Sequence, residues 1–388
     1  MAVSHRKPAF APWLDLRAHK IPDPVERLRF LRQEMQALES ERPYRKPAVR
    51  HGRWAMAAVV ALIAVLAAAP PAHVTATAPP PQPARSASVT MPRTVNTLAA
   101  PDKVWRVDRS GMLETYSNGL RVDVTFAESH TPRQPFPVFP LEGGATPVRY
   151  QRTPAGIVYH TTESNLADFD EAQNSRLKWL GRNLLEVVHD EHAYHYVIDR
   201  FGRVFRVVEE SDIANHSGHS IWADAGGIYV NLNNSFLAVA FEAQTGAANS
   251  VTDAQIQSAR MLTEMLRSKY SIPAGNCVTH AQVSVSGVNN YIGVHFDWAS
   301  QFPFAEVGLP DNYARPPASL TAFGFEYDSA FVQATGGPWK GLELAEAQVE
   351  REAAARGMPV AHYRAILQHR YSDVLGVVTT AESEQGGS

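Results

Sequence analysis

Several polar residues in the central part of the chain have the types and positions that metal or acid–base chemistry requires. His160, Glu242 and His280 each come at the end of an apolar segment with strand character, "GIVYH", "LAVAFE" and "NCVTH". His295 and Asp297 lie two positions apart in "YIGVHFDW", and on a strand such residues point to the same face. Either one could bind a metal while the other serves the same site in a different role.

The segments around these residues predict the elements that must position them. A helix is expected over residues 175–188, a β-hairpin around Phe201–Gly202, and a second helix that begins with the capping box of Thr252 and Gln255. Because strands and helices interleave, we expect an α/β fold with a mixed central β-sheet flanked by helices. Such sheets place ligands at strand ends, so the polar residues there indicate one site, with scattered core histidines as the competing interpretation.

Composition excludes several other classes of protein. The 388 residues have a formal net charge of −3, which gives no electrostatic support for a nucleic-acid partner. Cys277 is the single cysteine, so an internal disulfide framework and a cysteine-rich metal cage are both excluded.

The first hundred residues predict a membrane anchor and a tether. Residues 54–69 carry no charged or polar side chain, and continuation to residue 74 supplies the length that a bilayer requires. Basic residues cluster close to the run on its amino-terminal side, which predicts that segment 1–53 is cytosolic. Apolar residues at helical spacing within this segment predict an amphipathic helix. The apolar run could instead be a buried core helix or part of a signal peptide. Residues 75–100 are a Pro/Ala-rich linker.

The rest of the chain divides into three parts. Residues 101–149 predict a β-rich N-terminal extension, and residues 150–310 hold the candidate site. Residues 311–388 predict an aromatic loop followed by C-terminal helices that form a small extension.

Five motifs together carry a resemblance to a known family. The segments "IVYHTTES", "AYHYVIDRFGRVFRVVEESDIANHSG", "NNSFLAVAFE", "VTH" and "HFDWASQFPF" occur in this order. In this respect residues 150–310 resemble the zinc-dependent N-acetylmuramoyl-L-alanine amidases, a superfamily that includes the peptidoglycan recognition proteins. The usual Asp-Pro-Gly of the last motif is replaced here by Asp297-Trp298-Ala299.

The resemblance implies a Zn²⁺ held by His160, His280 and a third ligand, with a fourth position open for water. We expect Asp297 as this ligand and His295 as a donor to the oxyanion. The alternative, His295 as ligand and Asp297 as its orienting partner, stays open because the 17 positions between His280 and Asp297 exceed the usual family spacing.

The remaining roles also follow from the resemblance. It implies that Glu242 acts as general base, that Tyr194 donates to the reacting carbonyl, and that His216 and Asn234 bind substrate. The implied protein is a peptidoglycan hydrolase that cleaves the amide between N-acetylmuramic acid and L-alanine of the stem peptide. The alternative is a module that binds muropeptides without cutting them. With the predicted anchor, the catalytic domain would lie on the periplasmic side of a bacterial inner membrane.

Overall fold

The computed structural model describes residues 100–246 and 251–386. The predicted cytosolic segment, anchor and linker therefore lie outside the described residues. Within the described ranges, no helix combines the length and the apolar character needed to cross a bilayer.

The strands of the described residues all lie in the amino-terminal and central part of this region. In chain order they are β1 (Arg106–Ser110), β2 (Leu113–Tyr116), β3 (Arg121–Asp123), β4 (Thr131–Pro132), β5 (Phe136–Val138), β6 (Arg149–Gln151), β7 (Gly156–Thr161), β8 (Tyr196–Ile198), β9 (Val204–Arg206), β10 (Asp212–Ile213), β11 (Ile221–Asp224), β12 (Gly227–Val230), β13 (Phe236–Phe241), β14 (Cys277–Thr279), β15 (Val285–Ser286) and β16 (Tyr291–Ile292).

Helices separate the central strands and dominate the carboxyl-terminal part. In chain order they are α1 (Asn174–Asp190), α2 (Leu232–Ser235), α3 (Asp253–Tyr270), α4 (His280–Val283), α5 (Ala318–Phe323), α6 (Ser329–Thr335), α7 (Lys340–Ala355) and α8 (Val360–Gly386). The predicted capping box at the start of α3 is present, with the Thr252 hydroxyl accepting from Gln255 N.

An eight-stranded sheet organises the molecule, in the order β1-β2-β3-β9-β8-β13-β7-β14. The last four of these strands run parallel to one another, whereas β1, β2 and β3 pair antiparallel, as do β8 and β9. The expectation of a mixed central sheet flanked by helices is therefore confirmed. Every residue of β7 and β13 is buried, as expected for parallel strands covered on both faces.

The two faces of this sheet have different coverings. Side chains of α3, including Leu262 and Leu266, pack with Tyr159 and Phe241 on one face. Leu185 of α1 belongs to a separate apolar cluster with Val197. Tyr159 of β7 therefore lies on the face covered by α3, whereas Val197 of β8 packs with α1.

Two parts of the chain differ in detail from expectation. The β-rich extension contributes β1, β2 and β3 to the main sheet, and β2 lies within the segment expected only to connect two strands. The expected aromatic loop after residue 310 contains α5 and α6. Asp328 caps α6 by accepting from Phe331 N, and Gly324 ends α5 with a left-handed conformation of φ 65°.

Candidate metal and catalytic site

The two predicted histidine ligands lie at the carboxyl ends of neighbouring parallel strands. His160 is the fifth residue of β7, opposite Ala240 of β13, and is only 1% exposed. His280 follows β14 directly, at the start of α4, and is 5% exposed. Pairing of β7 with β14 places both imidazoles at one edge of the sheet, where such folds collect ligands.

A loop after β16 brings Asp297 to the same edge. The carbonyl of Asp297 accepts a hydrogen bond from Ala281 N at 3.2 Å, which ties the loop to α4. The Tyr313 hydroxyl donates to the Trp298 carbonyl at 2.6 Å, and Trp298 has a left-handed backbone with φ 56°. These contacts fix the direction in which the Asp297 side chain leaves the loop.

The three side chains converge on one point. Nδ1 of His160 and Nδ1 of His280 each lie 3.1 Å from Oδ2 of Asp297. One candidate donor atom from each residue lies within 4.8 Å of the others, and all three residues are buried. Two imidazole nitrogens and one carboxylate oxygen are the donor types that catalytic zinc uses, so this cluster fits such an ion.

The charges within the cluster suit a cation. Burial raises the pKa of the Asp297 carboxyl, but the facing His280 and His160 outweigh this and hold it well below its usual range. Burial, aided by His280, lowers the pKa of His160 to about 4. At neutral pH the cluster therefore presents an ionised carboxylate and a neutral His160 imidazole, the protonation states in which these groups ligate metals.

His295 lies beside the cluster without joining it. Its ring stacks on that of His280, with centroids 4.4 Å apart and an interplanar angle of 17°. Among the described residues, the metal-binding group consists of His160, His280 and Asp297. Of the two alternatives left by the sequence, the geometry favours Asp297 as the third ligand.

Tyr194 is the second predicted donor near the cluster. Its ring centroid lies 5.0 Å from that of His160, and its backbone has a left-handed φ of 60°. Burial, reinforced by the negative charges of Asp297 and Glu163, raises the pKa of its phenol well above the usual value. The hydroxyl therefore keeps its proton at neutral pH and can donate a hydrogen bond.

The structure places His216 against His160, one of the candidate zinc ligands. His216 Nδ1 lies 3.2 Å from His160 Nε2, the ring nitrogen that faces away from Asp297. The Asn233 side chain, which the sequence did not single out, accepts from the backbone N–H groups of His216 and Ser217 at 3.1 and 2.7 Å. His216 was expected to bind substrate. The structure also places it in contact with His160, on the side of that ring opposite Asp297.

Glu242 occupies a pocket at the end of β13. Its strand register puts it on the same face as His160, two residues beyond the partner Ala240. The carboxylate accepts a hydrogen bond from Arg200 N at 3.1 Å, and a Cβ at Gly181 would lie 3.4 Å from its Oε2. Burial raises the pKa of Glu242 to about 7. Neither of these two contacts involves a member of the metal cluster.

Asn234 lies in α2, where its backbone carbonyl accepts from a guanidinium nitrogen of the buried Arg133. The other face of Arg133 meets His195, with Nη2 of Arg133 and Nε2 of His195 3.2 Å apart. His195 is fully buried, and its Nδ1 accepts from Ala238 N at 3.0 Å. Arg133 precedes the motifs of the site, so no sequence pattern singled it out.

Comparison with known proteins supplies the family. Residues 150–290 match the family model described as N-acetylmuramoyl-L-alanine amidase. The chain resembles that family over this segment. The resemblance drawn from the motifs is thereby confirmed for the matched residues, which include His160 and His280. Asp297 lies beyond the match, so its place in the cluster is supported by geometry.

Solved structures of amidases share a limited likeness with the chain. AmiD from E. coli, in complex with anhydro-N-acetylmuramic acid-L-Ala-D-gamma-Glu-L-Lys, is 18% identical with a TM-score of 0.26, over 45% of this chain and 58% of that one. AmpDH3 from Pseudomonas aeruginosa is 21% identical with a TM-score of 0.31, over 42% and 61%. LysC from Clostridium intestinale is 24% identical with a TM-score of 0.25, over 45% and 95%. These scores are low, so the likeness to the amidases rests on the match of residues 150–290 to the family model. No curated protein matches the sequence significantly.

Proposed function

We propose that residues 150–310 hydrolyse the amide bond between N-acetylmuramic acid and L-alanine of the peptidoglycan stem peptide. The observation that supports this most directly is the convergence of His160, His280 and Asp297 at one edge of the sheet. The donor set suits zinc, and the first two of these residues lie in the segment that matches the amidase family model. The substrate class follows from the family rather than from the shape of the site.

The proposed chemistry divides between a zinc ion and the surrounding side chains. Zinc at this cluster would polarise the scissile carbonyl and lower the pKa of water towards neutrality. Tyr194 keeps its phenolic proton at neutral pH and donates to the developing oxyanion. His295, stacked on His280, supplies a second donor in the same proposal. His216 holds the ring of His160 from behind.

Glu242 is the proposed proton acceptor. A pKa of about 7 suits a group that takes a proton from water and returns it to the leaving amine. Its strand position directs it to the face that carries His160. In this proposal Glu242 accepts the proton while Arg200 N stabilises the carboxylate.

A second function is favoured by one observation, the position of the Glu242 carboxylate. Its hydrogen bond from Arg200 N is made away from the cluster, and its carboxylate lies close to the backbone of Gly181 in α1. A site that holds zinc but has no general base close to the metal would bind a muropeptide and leave it intact. This makes a binding or sensing module the second candidate.

Product analysis with a defined muropeptide separates the two functions. The full-length protein loaded with zinc is incubated with N-acetylmuramoyl-L-alanyl peptide, and mass spectrometry follows release of the peptide with a free L-alanine amine. We expect release by the wild type and a loss of at least about 100-fold in Glu242→Gln, since general base catalysis contributes about 10²–10⁴-fold. Glu306→Gln, at an exposed position, is the matched control and should match the wild type. Tight binding without products would establish the second function instead.

We also propose that residues 54–74 anchor the protein in a bacterial inner membrane, with the amidase domain on the periplasmic side. The uncharged run and its one-sided basic flank support this orientation. Alkaline phosphatase fused after residue 100 should be active in cells, whereas a fluorescent protein that folds only in the cytosol should be dark at the same position. The opposite pattern would place the domain in the cytosol.

A further inference from the structure

A second cavity, of about 890 Å³, lies at the other end of β7 from His160. Residues 152–154, which precede β7, form one wall. The β-rich extension contributes Trp105 and Tyr116, and the end of α3 contributes Lys269 and Tyr270. The cavity is therefore built jointly by the amidase segment and by the extension that precedes it in the chain.

Ion pairs neutralise most of the charges around this cavity. Five basic and two acidic side chains line it. The buried Glu114 pairs with Arg106 at 2.7 Å and with Arg206 at 2.9 Å. Glu210 pairs with Lys269 at 2.7 Å. The positive charges of the two other arginines that line the cavity are not neutralised by these pairs.

Arg133 is the first of these two arginines, and only 5% of its surface is exposed. Its guanidinium donates to the carbonyls of Asp212, at 2.8 Å, and Asn234, but within the described part of the chain it forms no ion pair with a carboxylate. Its Nε is buried and has no hydrogen-bond partner. Buried cations in proteins are ordinarily paired with an anion, and the Arg133 guanidinium has no such anion among the described residues.

Arg152 is the second, and it is exposed at the wall of the same cavity. Trp105 is 56% exposed there and presents an apolar ring on which a flat ring can stack. Two unpaired guanidinium groups and an aromatic surface in one concave space form a site for an anion that also carries a ring.

We propose that this cavity binds a small organic anion whose carboxylate pairs with Arg133 and Arg152 and whose ring lies against Trp105. This site is separate from the metal cluster, and the proposal does not depend on the proposed hydrolysis. The ligand class is a carboxylate-bearing sugar or aromatic acid.

Isothermal titration calorimetry of the full-length protein tests the proposal with two matched probes. N-acetylmuramic acid carries a ring and a lactyl carboxylate, whereas N-acetylglucosamine has the same ring without the carboxylate. We expect binding of the first and at least about tenfold weaker binding of the second, because a charge-assisted contact is lost. Arg152→Gln should weaken binding of N-acetylmuramic acid by a similar factor.

Three further variants make the result decisive. Arg176→Gln removes an exposed arginine of α1 that does not line the cavity, and it should bind like the wild type. His280→Ala should also retain the affinity, since it alters only the metal cluster. Arg133→Gln should lose binding, and its Tm is measured alongside because the residue is buried.

Two results would overturn the proposal. Equal affinity of the wild type and Arg152→Gln would show that the carboxylate is not bound in this cavity. Affinity lost in His280→Ala but kept in Arg152→Gln would place the ligand at the metal cluster instead. Because Arg152 is exposed and makes no ion pair among the described residues, its replacement tests binding without a change in packing.

Discussion

Asp297 is held in its ionised form by the two histidines that face it. His280 and His160 overcome the effect of burial on the carboxyl, whose pKa stays well below its usual range. Positions at strand ends singled out both histidines, and the family resemblance then implied that they bind zinc. The sequence favoured Asp297 as the third ligand but left His295 as an alternative. Residues two apart share a face of a strand, and only the tertiary structure shows that His295 stacks on His280 whereas Asp297 faces both histidines.

Glu242 should make the stability of the protein depend on pH. Burial raises its pKa from 4.5 to about 7 in the folded protein, so the folded state holds the proton more tightly than the unfolded state. The stability from this group is present below the unfolded pKa and is lost as pH rises through about 7. The difference between 4.5 and about 7 corresponds to a decrease in the free energy of unfolding on the order of 3 kcal/mol, measured by urea denaturation between these two pH values.

Glu242→Gln should lack this component, because the amide does not ionise. Its stability at pH 8 should therefore exceed that of the wild type, whereas Glu306→Gln should follow the wild type. A Glu242→Gln curve parallel to the wild-type curve would mean that Glu242 titrates normally in the folded protein.

At the scale of the elements, β7 depends on close contact with its neighbours. A Cβ at Gly156 would lie 2.0 Å from the ring of Phe236 and 2.4 Å from the carbonyl of Asn276. Gly156→Ala should therefore lower the free energy of unfolding by about 1–3 kcal/mol or more, the usual cost of overpacking. Thermal or urea unfolding measures this effect.

Gly376 in α8 is the matched control for this substitution. A Cβ there would meet no atom within 4 Å, and alanine favours a helix more than glycine does. Gly376→Ala should leave the stability unchanged or raise it. If Gly156→Ala behaved like Gly376→Ala, the close packing of β7 against β13 would be contradicted.

The sequence indicated most of these elements but not all. Period-two and period-3.6 patterns predicted the β8–β9 hairpin, α3 and the helical carboxyl end, and all are present. The strand β2 was missed because the turn residues of "GMLETYSNG" surround its four residues. Its place in the main sheet depends on pairing with β1 and β3, which no local pattern reveals.

At the scale of the whole molecule, the carboxyl-terminal helices share a core with the amidase segment. Leu342 of α7, Phe323 of α5 and Phe331 of α6 belong to one buried cluster with Ala281 and Ile292. The Trp339 indole donates to the carbonyl of Ala299 at 2.7 Å, close to the loop that carries Asp297. The sequence predicted these helices as an appendage, because contacts between distant segments leave no periodic signal.

This shared core gives a prediction with a control on the same helix. Leu342 is fully buried, so Leu342→Ala should destabilise the protein by about 2–5 kcal/mol through the lost contacts and the cavity. Leu344, two residues on, is 39% exposed, and Leu344→Ala should have a much smaller effect. Equal losses of stability in the two variants, measured by chemical denaturation, would contradict the shared core.

The zinc content of purified full-length variants, measured by inductively coupled plasma mass spectrometry, tests the metal cluster most directly. We expect about one zinc per chain in the wild type and in His295→Ala, and almost none in Asp297→Ala or His280→Ala, since catalytic zinc uses three protein ligands. Zinc retained by Asp297→Ala but lost from His295→Ala would contradict the ligand set of His160, His280 and Asp297.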